Sequence, residues 1–159
     1  RGTVQRPTPD GLLALDPTEY SILCAIADTL LPGASDLPTG TEAGVPQAID
    51  FVVSTMHPAD RDEFKQALAL IENALVGTLL DGRTTTFTGS SPEVRTATLT
   101  AWRDSTIGVR KQAFKALHGL CSGAYWSQPD CYEVTGYSGP PNFGQAYAPK
   151  PTTFDGDAP

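Results

Sequence analysis

The stretch LDPTEYSILCAIADTLLPG, residues 15–33, constrains the fold more than any other part of the chain, because it specifies a helix at both ends and along one face. Asp16 has the short acceptor side chain of an N-cap, Pro17 suits the first helical position, and Glu19 can reach back to the cap amide to close a capping box. Tyr20, Leu23, Ile26, Ala27 and Leu30 then recur every three or four residues, the period of a helix that buries one side. Pro32 and Gly33 stop it. A chain that opens this way is committed to helix-on-helix packing.

The same punctuation recurs downstream. A loop by composition, ASDLPTGTEAGVP, leads into PQAIDFVVSTM, where Pro46 fits a helix start and Ile49, Val52 and Val53 offer a short apolar face. A third helix is expected from Pro58 to about Leu79, with Phe64, Leu68, Ile71, Leu75 and Leu79 as its stripe. Ser91 and Pro92 start a fourth, which buries Leu99 and Trp102. From about Ile107 a fifth helix turns Val109, Phe114, Leu117, Leu120 and Cys121 inward and Arg110, Lys111 and Lys115 to water, with Gly123 placed to end it in a left-handed cap. The expected fold is therefore all-α, with about five helices in a bundle-like body and a long irregular tail rich in Pro, Gly and aromatic residues. Residues 1–15 form an irregular lead, 16–123 the helical body and 124–159 an extended tail, one domain overall at this length.

Charge removes several function classes. The formal net charge is −7 with no Lys/Arg cluster, so the basic footprint needed to neutralise nucleic-acid phosphates or bind an anionic bilayer is missing. No apolar run approaches the roughly 20 residues of a membrane span, so no direct span is expected. The given residues show no signal-peptide pattern and start at Arg1 without a methionine, as a processed product would.

Few residues point to chemistry. His57 and His118, the two histidines, lack a second ligand at i, i+4; His57 lies at a helix start, and His118 near a helix end, where a cation would complement the dipole. Asp60, Asp62 and Glu63 crowd the first turns of the third helix, where negative charge favours the exposed N–H groups. No CxxC pair, glycine fingerprint or nucleophile motif occurs, so no catalytic, cofactor or metal site is assigned. Cys24 reads as a buried small hydrophobe. Cys121 and Cys131 bracket a short loop across which a disulfide is geometrically easy in an oxidising compartment, and both redox states stay open.

The tail is the other unusual feature. Seven of 13 aromatic residues lie beyond residue 123: Tyr125, Trp126, Tyr132, Tyr137, Phe143, Tyr147 and Phe154. Rigid amphipathic rings on a Pro/Gly-rich backbone suit a protein interface, and equally suit a tail wrapped over its own helices.

Three segments, in order, resemble the gluconate 2-dehydrogenase subunit 3 family. They are YSILCAIADTLLPG, TEAGVPQAIDFV and GAYWSQPDCYEVTGYSGPPNFG, with the matching positions Asp28, Thr29 and Pro32; Ala43, Gly44, Val45, Pro46, Asp50 and Phe51; and Gly123, Tyr125, Trp126, Gly136, Tyr137, Gly139, Pro140 and Pro141. The resemblance implies a small non-catalytic accessory subunit of a periplasmic, membrane-associated dehydrogenase complex. Its large partner, of the glucose-methanol-choline oxidoreductase type, would carry FAD, and a c-type cytochrome with haem c often takes the electrons; no cofactor is expected in this chain. Such subunits are thought to support assembly, stability and twin-arginine export of the catalytic subunit. No twin-arginine pair lies in the given residues, so the export role would rest on residues outside them. Under this resemblance the contact residues are Gly44, Val45 and Pro46 with Tyr125, Trp126, Tyr132, Tyr137, Pro140, Pro141, Phe143 and Tyr147. The competing readings are a self-contained helical enzyme built on His57, Asp60 and His118, and a stand-alone helical binding domain.

Overall fold

The computed structural model describes residues 2–73, 85–128, 131, 134 and 136. Five helices follow in order: α1 Pro17–Leu30, α2 Val45–Thr55, α3 Pro58–Glu72, α4 Pro92–Arg103 and α5 Gly108–Trp126. No strand occurs among the described residues, and the all-α expectation holds.

Helix starts follow local chemistry. Asp16 accepts from the Thr18 and Glu19 amides at 2.7 and 2.8 Å while Glu19 accepts from the Asp16 amide at 2.9 Å, completing the capping box. His57 caps α3, its Nδ1 accepting from the Ala59 amide at 3.3 Å, and Ser91 caps α4. Proline occupies the first or second position of the first four helices. There its missing N–H would have had no intrahelical partner.

The sequence predicts one buried stripe on α1, but the structure buries every residue from Tyr20 to Ala27. α2, α3, α4 and α5 all pack on α1, which makes it the axis of the bundle. The lead seals the remaining side: the Arg6 amide donates to Ser21 Oγ at 3.0 Å, and the Leu13, Ala14 and Leu15 amides all donate to Asp50 at 2.7–3.0 Å. The lead is thus pinned to α1 and α2.

α3, α4 and the lead are joined by a buried polar knot. Glu72, 7% exposed, accepts from the Thr88 amide at 2.9 Å and from the Thr88 hydroxyl at 2.6 Å. The Val4 amide donates to the same hydroxyl, and the Arg95 guanidinium donates to the Phe87 and Thr88 carbonyls. Phe87, fully buried, plugs the core beneath.

Three local expectations change. α3 ends at Glu72 because Asn73 turns extended, while Leu75 and Leu79 lie outside the described residues. α5 runs through Gly123 to Trp126, so Gly123 is helical and no left-handed cap forms there; residues 124–126, assigned to the tail, are the last turn of the helix. At the start of α5 the faces are exchanged: Arg110 is buried and Val109 is 59% exposed. The cause is Trp102 of α4, whose ring lies 5.0 Å from the Arg110 guanidinium carbon and holds that cation inward by its π face.

Candidate functional site

The family-like positions near α1 are tied into the fold by specific contacts. Asp28, near the end of α1, accepts from the Thr41 amide at 2.8 Å and from Arg6 at 2.7 Å. This fastens the 33–44 loop and the lead to the same carboxylate. Gly40 makes the close approach possible, since a Cβ there would stand 2.7 Å from the Ala27 carbonyl oxygen. Gly44, at φ 75°, turns the chain into α2. Val45 and Pro46 then drop into the core, and Asp50, 3% exposed, is consumed by the three lead amides.

At the far end of α5, Tyr125 is 3% exposed and its hydroxyl donates to the Pro38 carbonyl at 2.7 Å. Burial raises its pKa, with the Cys131 thiol beside it adding to the effect. Cys24, Cys121 and Cys131 are all buried. Burial pushes Cys121 up to about 12, and Tyr20 likewise to about 12.

Several expected contact residues are therefore engaged within this chain. Val45, Pro46 and Tyr125 are core, and Gly44 is half-buried. Tyr132, Tyr137, Pro140, Pro141, Phe143 and Tyr147 lie outside the described residues. Trp126 remains at the surface, edge-on to Tyr125.

Two apolar surfaces are left open. On the outer side of α2, Phe51 is 60% exposed, one residue after the fully engaged Asp50. Between α3 and α5 runs a groove of about 660 Å³, walled by Met56, Ala67, Leu70, Ala113, Ala116 and Leu120. It exists because α3 and α5 each pack on α1 and α2 without extensive contact with one another. Sequence reasoning missed both surfaces. Ala67 and Leu70, like Ala113, Ala116 and Leu120, fall at helical spacing on a second face, and that row of small and apolar residues was the available signal.

The residues of the enzyme reading are dispersed into other tasks. His57 caps α3, and exposed His118 stacks on Phe114 at 5.6 Å between centroids. Among the described residues no three His, Cys, Asp or Glu side chains cluster to hold a metal. No described helix is long and apolar enough to cross a membrane.

The order of the three family-like segments now has an independent counterpart: the family model described as gluconate 2-dehydrogenase subunit 3 matches residues 17–139. The chain belongs to that family. The match takes in all five helices and every family-like position from Asp28 to Gly139. The family's name designates one subunit of a multi-subunit dehydrogenase. No curated protein and no solved structure matches the chain. Within this gluconate 2-dehydrogenase subunit 3 fold, the loop contacts at Asp28, Gly40 and Asp50 build the bundle, whereas Phe51, Trp126 and the α3/α5 groove remain at its surface.

Proposed function

We propose that the chain is a non-catalytic accessory subunit that docks on the FAD-bearing large subunit of a dehydrogenase oxidising a sugar, sugar acid or other alcohol. The single observation that carries this reading is the placement of Phe51 and Trp126. Both occupy family-like positions, both are large aromatics exposed by about half, and each directly follows a residue engaged inside the fold. Exposed rings of this size are costly to hydrate and gain most when a second protein covers them. The tail adds Tyr132, Tyr137, Pro140, Pro141, Phe143 and Tyr147 as contact residues in this reading.

The partner is of the glucose-methanol-choline oxidoreductase type, and a c-type cytochrome with haem c completes the complex in the periplasm, at the membrane. The small subunit supports assembly, stability and export of its partner there. Family membership supports the first part of this reading, and the rest follows from the resemblance alone. Affinity capture of the chain from its native source tests it. A yellow flavoprotein in fixed ratio is expected, and the double variant Phe51→Ser, Trp126→Ser should lower its yield at least tenfold while the far-ultraviolet circular dichroism is unchanged. A monomer that captures no flavoprotein, or that turns over an alcohol by itself, overturns the reading.

A further inference from the structure

We infer that the groove between α3 and α5 receives an amphipathic helix of the catalytic partner subunit, cationic at one end; this rests on the accessory-subunit reading above. Three features of the groove select that occupant.

The first is shape. α3 and α5 stand apart on a common floor that includes the buried side chains Phe64 and Leu117. The walls carry the short side chains Ala67, Ala113 and Ala116 between the longer Met56, Leu70 and Leu120. Short residues let a third backbone approach to the roughly 8–10 Å separation of packed helices, and the longer ones supply ridges for it to interlock with. Val109, 59% exposed, extends the apolar wall at the α5 start.

The second is charge. The charged residues lining the groove are Asp60 and Glu63, both exposed and both in the opening turns of α3. The two cations of α3 are used elsewhere. Arg61 donates to the Val53, Ser54 and Met56 carbonyls at the end of α2, and Lys65 pairs with Glu19 at 2.8 Å. An apolar helix seated here would partly desolvate two carboxylates, which costs heavily unless the incoming chain brings cations to them. Those cations belong at the Met56 and Val109 end, with the apolar stretch running toward Leu70 and Leu120.

The third is what the chain itself could supply. A second copy carries a formal charge of −7 and would meet the two carboxylates with net repulsion. A different polypeptide with Lys or Arg beside a Leu-rich face has no such penalty.

The test uses the full chain and two synthetic helical peptides of about 16 residues, a length at which a helix face can form on binding. Both carry Leu at i, i+3, i+4 and i+7; one bears two Lys at one end, the other two Glu. Fluorescence anisotropy should show saturable binding of the Lys peptide, at least tenfold tighter than the Glu peptide and weakened by salt. Ala116→Trp, at an exposed position that fills the groove without touching the core, should abolish binding of both. Asp60→Asn with Glu63→Gln should erase the preference between peptides, and because both side chains are exposed this variant keeps the fold. No binding, or equal binding of the two peptides by the unaltered chain, overturns the proposal.

Capture of the flavoprotein separates the two levels of the argument. If the unaltered chain and Ala116→Trp capture it equally, the groove is not the contact and the proposal fails while the accessory reading stands. If neither captures it, both fail. A concentration-dependent dimer in light scattering that Ala116→Trp abolishes would assign the groove to a second copy, and that also overturns the proposal.

Discussion

The two sides of the bundle treat polar and apolar groups in opposite ways. Around α1, polar groups that the loops bring in meet partners: Asp28 holds Arg6 and Thr41, Asp50 holds three lead amides, and Tyr125 reaches the Pro38 carbonyl. Along α3, α5 and the outer side of α2, apolar side chains stay in water and Asp60 and Glu63 stand beside them. The contrast separates two uses of family-like residues. Those with satisfied, buried partners make the fold, and those left exposed are available to another protein.

Alkali tests the inner side most severely. Cys121 is shifted from 9.0 to about 12 and Tyr20 from 10.0 to about 12, both by burial, so the folded chain retains protons that the unfolded chain gives up. Stability is therefore fully present below about pH 9 and falls as pH rises toward 12, by about 4 kcal/mol from Cys121 alone at the end of that range. Urea denaturation in reductant from pH 7 to 11 checks it. A flat profile would mean that these groups are far more open to water than they are here.

Asp50→Ala comes next. It strands three backbone donors and should cost about 3 kcal/mol, with Asp50→Asn costing less because one acceptor oxygen survives. For a domain of this size the corresponding fall in Tm is roughly 6–12 °C. If instead the variant is as stable as the parent but captures less flavoprotein, Asp50 belongs to the outer side and the division drawn above fails.

Gly40→Ala should be milder, about 2 kcal/mol, because the new methyl pushes the loop off the Ala27 carbonyl. Native-state hydrogen exchange should localise the loosening to the 33–44 loop. The smallest stability effect is expected on the outer side: Phe51→Ala, at an exposed position, should shift stability by no more than about 0.5 kcal/mol in the isolated chain. A larger loss would place Phe51 with the core residues.

Much of this was legible in the chain itself. Asp16, Pro17, Pro46, Pro58, Ser91 and Pro92 mark helix starts that the structure reproduces, because capping and the absent proline N–H act within a few residues. The buried stripe of α3, Phe64, Leu68 and Ile71, follows for the same reason of period. The candidate site is less legible. Val45, Pro46 and Tyr125 have the composition of contact residues, yet the chain folds them against itself, and nothing in a single sequence separates an internal contact from an external one. Arg110 has the pattern of a solvent-facing cation, and only Trp102, eight residues earlier and on another helix, turns it inward.

The sequence by itself determined that this chain is helical, where its helices begin, and which family it resembles, since all three depend on side chains acting on their own backbone or on the order of short motifs. Only the tertiary structure decided that α1 is enclosed on every side, that Asp28 and Asp50 are fasteners, and that α3 and α5 stand apart to leave a groove. Those outcomes depend on how far apart helices settle once their large and small side chains meet, a property of pairs of surfaces that no one segment carries.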